Sequence, residues 1–377
     1  MEPAQATSTE WMIYGANGYT GELIAAEAVA RGWRPVLAGR REEAVRPIAE
    51  RLGCPWRAFE LGEAADVARQ LEGVKALLHC AGPFSRTSRP AVDGCLAAHV
   101  HYLDITGEIV VFEECQRRGD EARAAGCVLL PGVGFDVVPT DCLAASLALL
   151  LPDAHELALA WYGMGSASKG TAKTMLEGIP AGGAIRKDGV ITRVPLGWKT
   201  ANIPFHDKTR LAVTIPWGDV STAYHSTGIP NIEVYLAQPP RLIRAMKMVR
   251  PFRKLIGLGP VQNMLARRIE ARVKGPDADA RASGQSEIWG RARSAAGAEV
   301  EGTLTTPEGY RLTVLTALAS IQRIMAGGVA PGAHTPSTAF GAGFIATIEG
   351  CTLRVPVRRS AAATAPGPRQ DPASPAG

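Results

Sequence analysis

Short apolar runs alternate with longer amphipathic stretches through the first third of the chain. Trp11–Tyr14, Pro35–Gly39, Trp56–Leu61, Ala76–Cys80, His101–Ile105 and Cys127–Pro131 are four to six residues long. Mainly apolar runs of this length, interrupted only at Arg57, Glu60, His79, His101 and Asp104, predict strands of a buried sheet. Between them, Glu22–Arg31 (ending at Gly32), Glu42–Leu52, Ala64–Glu72, Ser88–Ala98 and Val110–Ala125 read as helices. Strands separated by such helices predict an α/β fold, a Rossmann-type doubly wound parallel sheet.

The pattern changes near residue 146. His155–Tyr162, Val190–Pro195, Arg210–Pro216, Asn231–Ala237, Glu287–Ala292 and Val300–Thr306 read as strands, with helices at Lys169–Gly178 and Tyr310–Gly327. Few helices intervene, which predicts an inserted mixed or antiparallel α/β domain whose open face can line a long substrate cleft. The expected organisation is a dinucleotide-binding domain at 10–145, a substrate domain at 146–327 and a segment packing back toward the first domain at 328–359. An Ala/Pro/Ser-rich disordered tail is expected at 360–377.

The first predicted strand runs into Gly15-Ala16-Asn17-Gly18-Tyr19-Thr20-Gly21. Three glycines between a strand and a helix let backbone N–H groups approach a pyrophosphate, and the helix N-terminus adds partial positive charge. The spacing G-x-x-G-x-x-G departs from the commoner G-x-G-x-x-G, and Asn17, Tyr19 and Thr20 offer further donors. The second strand ends in Arg40-Arg41, where an NAD site usually carries an acid for the ribose 2′-OH. Guanidinium groups pair a 2′-phosphate instead, so the expected cofactor is NADP(H). The alternative leaves Arg41 to a solvated helix and Arg40 alone to the phosphate.

In doubly wound sheets ligands bind beyond the carboxyl ends of the strands. Three segments fall there: Cys80-Ala81-Gly82-Pro83-Phe84, Asp104-Ile105-Thr106-Gly107-Glu108 and Gly132-Val133-Gly134-Phe135-Asp136. Cys80, Ala81, Gly82, Pro83, Thr106 and Gly107 thereby join the glycine loop as expected cofactor contacts. Reduction of an unsaturated bond also needs a proton donor. Asp136 is the candidate, its alternative role being a helix cap; Tyr102, Asp141, Lys169 and Tyr224 are further candidates. None of the seven tyrosines has lysine four residues on, which removes a Tyr-x-x-x-Lys mechanism.

Five segments carry a resemblance in order and spacing: Gly15–Gly21, Ala38-Gly39-Arg40, Ala81–Phe84, His101–Glu108 and Gly134–Asp141. Through them the chain resembles the saccharopine dehydrogenase-like NADP-binding oxidoreductases over residues 11 to 145. Pro307-Glu308-Gly309-Tyr310, Gly327–Gly332, Thr335-Pro336 and Ala339-Phe340-Gly341 are similar to the C-terminal pattern of the trans-acting enoyl reductase branch. The resemblance implies a Rossmann domain with an inserted domain, and hydride transfer from NADPH to an enoyl bond in a lipid or polyketide chain. It also leaves two alternatives: an NADP-binding protein that associates with lipid or membrane without turnover, and an imine reductase of saccharopine type. The latter needs clustered Arg or Lys for several carboxylates, and no such cluster falls at the strand ends.

Composition sets bounds on this picture. The 377 residues are 46% hydrophobic and 20% charged, as expected of a folded chain large enough for two domains. Seven scattered cysteines with no C-x-x-C pair predict reduced thiols and no structural zinc. Met1–Thr9 lacks a secretory pattern, and Leu143–Leu151 falls far short of the ~20 apolar residues that span a bilayer. A cytoplasmic location is therefore expected. Arg241–Lys274 stands apart, with ten Lys or Arg, one acid (Glu270) and net charge +9 in a chain of +5. Leu242, Met246, Val249 and Ile256, then Val261, Leu265 and Ile269, make it a basic amphipathic helical pair broken at Gly257–Pro260. It reads as a solvated face, as a dock for an acidic carrier protein that delivers an acyl chain, or as a contact for an anionic membrane. No recognition motif accompanies the charge, which argues against nucleic acid.

Overall fold

The computed structural model describes residues 10–163 and 165–359; the tail expected at 360–377 lies outside them. The first half is β1 (Trp11–Tyr14), α1 (Tyr19–Ala30), β2 (Val36–Gly39), α2 (Glu42–Leu52), β3 (Trp56–Ala58), α3 (Ala64–Gln70), β4 (Ala76–His79), α4 (Phe84–Ala97), β5 (His101–Asp104), α5 (Ile109–Arg117), α6 (Gly119–Ala124), β6 (Val128–Leu130) and α7 (Val138–Leu150). The second half is β7 (Ala154–Tyr162), α8 (Lys169–Gly178), β8 (Gly183–Lys187), β9 (Val190–Val194), β10 (Thr200–Pro204), β11 (Thr209–Thr214), α9 (Asp219–Thr227), β12 (Asn231–Ala237), α10 (Pro240–Val249), α11 (Arg253–Ile256), α12 (Gly259–Arg272) and α13 (Ala278–Ser283). It closes with β13 (Gln285–Ser294), β14 (Glu299–Pro307), α14 (Gly309–Met325), β15 (Gly332–Ala333), α15 (Pro336–Phe340) and β16 (Thr352–Arg359).

The first sheet has the order β15-β6-β5-β4-β1-β2-β3, and every pair in it is parallel. Apart from the β15 edge this is the Rossmann order 3-2-1-4-5-6, with its ligand crevice where β1 meets β4. Ile13 stands opposite Leu37 on one side and Leu78 on the other, all three fully buried. The second sheet has nine strands and runs β10-β11-β12-β7-β13-β14-β16, with β8 and β9 branching from β12. Its pairs are antiparallel except β12 with β7. Alternate burial along β14 puts one face of this sheet on a core that includes Leu143 and Leu147 of α7.

Two elements tie the halves together. Val314, Ala317, Leu318 and Ile321 of α14 enter the core of the parallel sheet beside Ile24 of α1, while Leu312 and Leu315 enter the core under the second sheet. The helix expected within 146–327 therefore covers both units. The 328–359 segment divides likewise: β15 adds to the parallel sheet and β16 to β14 of the other.

Some boundaries differ from the sequence reading for local reasons. Helix α4 starts at Phe84 because the Glu108 carboxylate accepts the amides of Phe84 at 2.8 Å and Ser85 at 3.0 Å. The pattern at 110–125 splits at Arg118, which pairs with Asp93 and Glu121. Most of α7 is buried, so it lacks the amphipathic stripe that reveals a surface helix. Strands β8, β10 and β16 and helix α9 also lie outside the sequence reading. Among the described residues no helix is long and apolar enough to cross a membrane, and no group of three His, Cys, Asp or Glu could hold a metal ion.

Candidate functional site

The glycine loop is held by its backbone. Gly15 N and Ala16 N both donate to Ala38 O, at 2.8 and 3.1 Å, and Gly18 N donates to Gly15 O at 2.9 Å. Gly15 has φ +86, and a Cβ there would stand 2.7 Å from Ala81 N. The loop thus lies directly on the end of β4. A Cβ on Gly21 would meet Gly15 O at 2.3 Å, so this glycine lets α1 pack against the turn. Gly18 caps α1 without a side chain, leaving the first-turn amides of Tyr19, Thr20 and Gly21 unmasked by any cap. A cradle of this form fits a pyrophosphate.

The side chains around it have separate roles. Asn17 is exposed, and its carboxamide lies where a Cβ on Gly39 would be, 2.8 Å from Oδ1. The side chains of Asn17 and Thr20 make no hydrogen bond among the described residues. Tyr19 departs from the sequence expectation: its hydroxyl donates to Pro276 O and accepts from Arg281 at 2.8 Å, and its ring meets Tyr310 edge-on at 5.0 Å. Its hydroxyl and ring therefore bridge to the second unit. Arg40 is exposed with no ion pair among the described residues, whereas Arg41 makes a 3.7 Å contact with Glu43. The strand end beyond β2 thus presents Arg40 as a free guanidinium.

The loop after β4 carries Cys80, Ala81 and the cis Gly82–Pro83 bond. Cys80 N donates to Tyr14 O at 2.7 Å, while burial and then the Asp104 charge push its thiol up and keep it protonated. Thr87 bonds Ala81 O at 2.7 Å and His79 Nε2 at 2.9 Å; burial drops His79 to about 3, so the ring is neutral. After β5, Asp104 braces two loops, accepting Thr106 N at 3.0 Å and Gly132 N at 2.8 Å on one oxygen and the Tyr102 hydroxyl at 2.7 Å on the other. Burial raises this carboxyl to about 6. Thr106 is fully buried and accepts Glu108 N at 3.0 Å. Its side chain therefore shapes the loop from within.

Asp136 follows β6 and lies against Gly107, whose Cβ position is 3.1 Å from Oδ2. Burial, then the charge of Glu108, raises Asp136 to about 7. No hydrogen bond to its carboxyl occurs among the described residues, while its carbonyl accepts Trp217 Nε1 at 2.7 Å. Trp217 is half-buried and backed by Trp161 and then Phe135, with ring centroids 4.9 and 5.7 Å apart. An apolar wall thus adjoins a carboxyl poised to hold a proton near neutrality.

The other proton-donor candidates are each engaged by a neighbour. Tyr102 is fully buried on Asp104, and Asp141, also fully buried, accepts Ser337 N at 2.7 Å. Lys169 pairs with Glu270 at 3.0 Å, and Tyr224 lies under the Arg186 guanidinium at 4.2 Å. The residues that pattern alone did not single out are Glu108, which caps α4, and Tyr310, which accepts Ser168 N at 2.6 Å and bonds Thr171 at 2.9 Å. Both stand inside quoted motifs, so position in a motif was the available signal.

The fold and this crevice define a dinucleotide-binding protein of the Rossmann class with a second, mixed-sheet unit. No protein-family profile matches the chain. It is 28% identical over 143 residues to a trans-acting enoyl reductase of Mycobacterium ulcerans (strain Agy99), covering 35% of this chain and 34% of that one. The Mycobacterium tuberculosis (strain ATCC 25618 / H37Rv) trans-acting enoyl reductase is 29% identical over 152 residues, 37% of this chain and 35% of that one. A saccharopine dehydrogenase-like oxidoreductase of Arabidopsis thaliana is 28% identical over 160 residues, with the same coverage of 37% and 35%. The matched stretch is thus about a third of each relative's length. In three dimensions the chain has the fold of saccharopine dehydrogenase (L-Glu forming) from Saccharomyces cerevisiae, at TM-score 0.58 and 11% identity over 87% of this chain and 94% of that one.

Proposed function

We propose that the protein is an NADPH-dependent oxidoreductase that reduces the carbon–carbon double bond of an enoyl group in a lipid- or polyketide-type acyl substrate. The observation that carries this reading is Asp136, a half-buried carboxyl against Gly107 that makes no hydrogen bond among the described residues and is raised to about 7. The similarity to trans-acting enoyl reductases supports the substrate class.

The Gly15–Gly21 amides would hold the pyrophosphate and Arg40 the 2′-phosphate. Asn17, beside Gly39, would face the adjoining ribose. NADPH, when bound, supplies the hydride for one alkene carbon. Asp136 Oδ then gives its proton to the other carbon and is reprotonated from solvent, so that C=C becomes CH–CH. Trp217, backed by Trp161, would lie along the acyl chain and exclude water. Near the glycine loop Arg40 stands alone and Arg281 is held by Tyr19 and Pro276 O, so the two do not form the multi-carboxylate clamp that an imine reductase of saccharopine type requires.

The test is NADPH oxidation with a panel of enoyl thioesters beside pairs of keto acids and amines. Turnover of enoyl thioesters supports the reading. Turnover of the polar pairs alone favours the imine reductase, and NADPH binding without turnover of any acceptor favours a non-catalytic role.

A further inference from the structure

Away from the crevice, exposed apolar side chains gather on one basic segment. Leu242, Met248, Phe252, Leu255, Leu258 and Met264 all lie open, from 47% exposed at Met264 to 73% at Met248. They stand on α10, the 250–252 turn, α11 and α12. The inner side of this segment is already satisfied. Ile243 is buried there, with Met246, Val249, Ile256, Val261, Leu265 and Ile269 half-buried. Most of the expected apolar stripe therefore packs inward, Leu242 excepted, and a second apolar set points outward.

The cations divide in the same way. Arg250 donates to Leu196 O and Gly197 O, both at 2.6 Å, and Arg253 to Pro180 O at 2.8 Å. Glu270 is taken by Lys169 and Lys173. Arg241, Arg244, Lys247, Lys254, Arg267, Arg268, Arg272 and Lys274 make no ion pair among the described residues. Arg241, Arg244 and Met248 share one face of α10 by their three- and four-residue spacing, and Met264, Arg267 and Arg268 share one face of α12. Each outward face thus mixes free positive charge with apolar side chains that cover nothing.

We propose that the outer surface of α10–α12 docks on an anionic lipid bilayer, its Phe, Leu and Met side chains entering the interfacial layer between lipid phosphates held by Arg and Lys. An interface that is fluid and anionic accepts side chains of irregular shape and repays positive charge around them. A folded acidic protein would instead need a complementary groove for each of six separated apolar groups. The inference rests on this surface alone and not on the reductase reading, so each can fail without the other.

The test is co-sedimentation of the full chain with vesicles of phosphatidylcholine, with and without phosphatidylglycerol. Binding is expected only with the anionic lipid and should weaken with added salt. The variants Met248→Ser/Phe252→Ser/Leu255→Ser and Arg241→Glu/Arg244→Glu/Arg267→Glu should each lose at least about tenfold in affinity. Both should keep the parent's melting temperature and NADPH affinity, because these residues lie outside the crevice and the cores. Absence of binding to anionic vesicles overturns the proposal. So does binding that survives either triple variant, or capture of an acidic acyl carrier protein without vesicle binding.

Discussion

Gly107 and Asp136 meet where the loops after β5 and β6 converge: a Cβ on Gly107 would stand 3.1 Å from Asp136 Oδ2. The contact places a carboxyl against backbone and leaves it without a hydrogen-bond donor. A half-buried carboxylate in that position loses part of its hydration with no hydrogen bond among the described residues to replace it, which favours the protonated form. Partial burial without a donor is therefore the cause of the proton-holding chemistry, and the half-buried carboxyl stays open to a proton from solvent.

Asp136→Asn should lower kcat by about 100-fold or more, with NADPH affinity unchanged. In the parent, kcat/KM should fall as pH rises through about 7, the value to which Asp136 is raised, and the variant should lose that limb. Stability moves in a linked way. An acid raised from 3.8 to about 7 on folding stabilises the folded state below the lower value and loses that contribution as pH climbs to the upper one. Asp136→Asn should therefore melt higher than the parent above pH 7, by on the order of 1–3 kcal/mol of stability, and the difference should vanish near pH 4. A structural Asp that took no part in proton transfer would show the stability effect without the change in the kinetic profile.

How much of this was legible in the chain depends on the range of each interaction. The central strands β1, β2 and β4 were readable because burial on both faces imposes short apolar runs, and Gly15–Gly21 because the turn demands glycine locally. Glu108 was not readable as a cap: its partner Phe84 lies 24 residues away, and nothing in local propensity links them. Tyr19 is the sharper case. It sits in the phosphate loop, yet its hydroxyl contacts Pro276, 257 residues on, a partner that sequence adjacency gave no sign of. Strand β16 was missed because Pro356 interrupts its pattern at a sheet edge, where proline is tolerated.

Arg40 and Arg41 adjoin in sequence but should behave differently on substitution. Arg40→Ala should weaken NADPH binding by about 10- to 100-fold, the worth of a charge-assisted phosphate contact, and leave NADH binding nearly unchanged. Arg41→Ala should alter neither by more than about twofold, since its side chain is 63% exposed and directed to Glu43. Titration of both cofactors against both variants checks the assignment. Equal loss for NADPH in the two variants would return Arg41 to the phosphate site.

The glycine loop tolerates no side chain at two of its corners. Gly15→Ala adds a Cβ 2.7 Å from a backbone nitrogen at φ +86, and Gly21→Ala adds one 2.3 Å from Gly15 O. Neither neighbour is a flexible side-chain tip, so the loop itself must shift. Each variant should lose about 2–4 kcal/mol of stability and most of its NADPH affinity, seen in denaturant titration and cofactor binding. Gly32→Ala is a useful contrast: it shares a positive φ of +82 but meets nothing within 4 Å, and should cost only about 1 kcal/mol while sparing the cofactor.

The two halves are also fastened by a charged latch far from the glycine loop. Glu113 Oε1 on α5 accepts from Arg186 at 2.9 Å, Ser221 at 2.6 Å and His225 at 3.3 Å. Arg186 is only 5% exposed and also donates to Val220 O and Gly189 O. The hydrogen bond from His225 leads the effects that draw Glu113 down to about 2, opposed by burial and helped by Ser221 and Arg186. A lowered acid stabilises above its unfolded value of 4.5 and loses that contribution as pH falls toward 2. Glu113→Gln should therefore cost about 2–4 kcal/mol at pH 7, because it leaves the buried Arg186 unpaired, and the cost should shrink below pH 4.5. Arg186→Met made in the Glu113→Gln background should cost less than the two single changes added, because the unpaired cation is gone. Additive losses in that cycle would show that the pair acts through its separate packing and not through its charge.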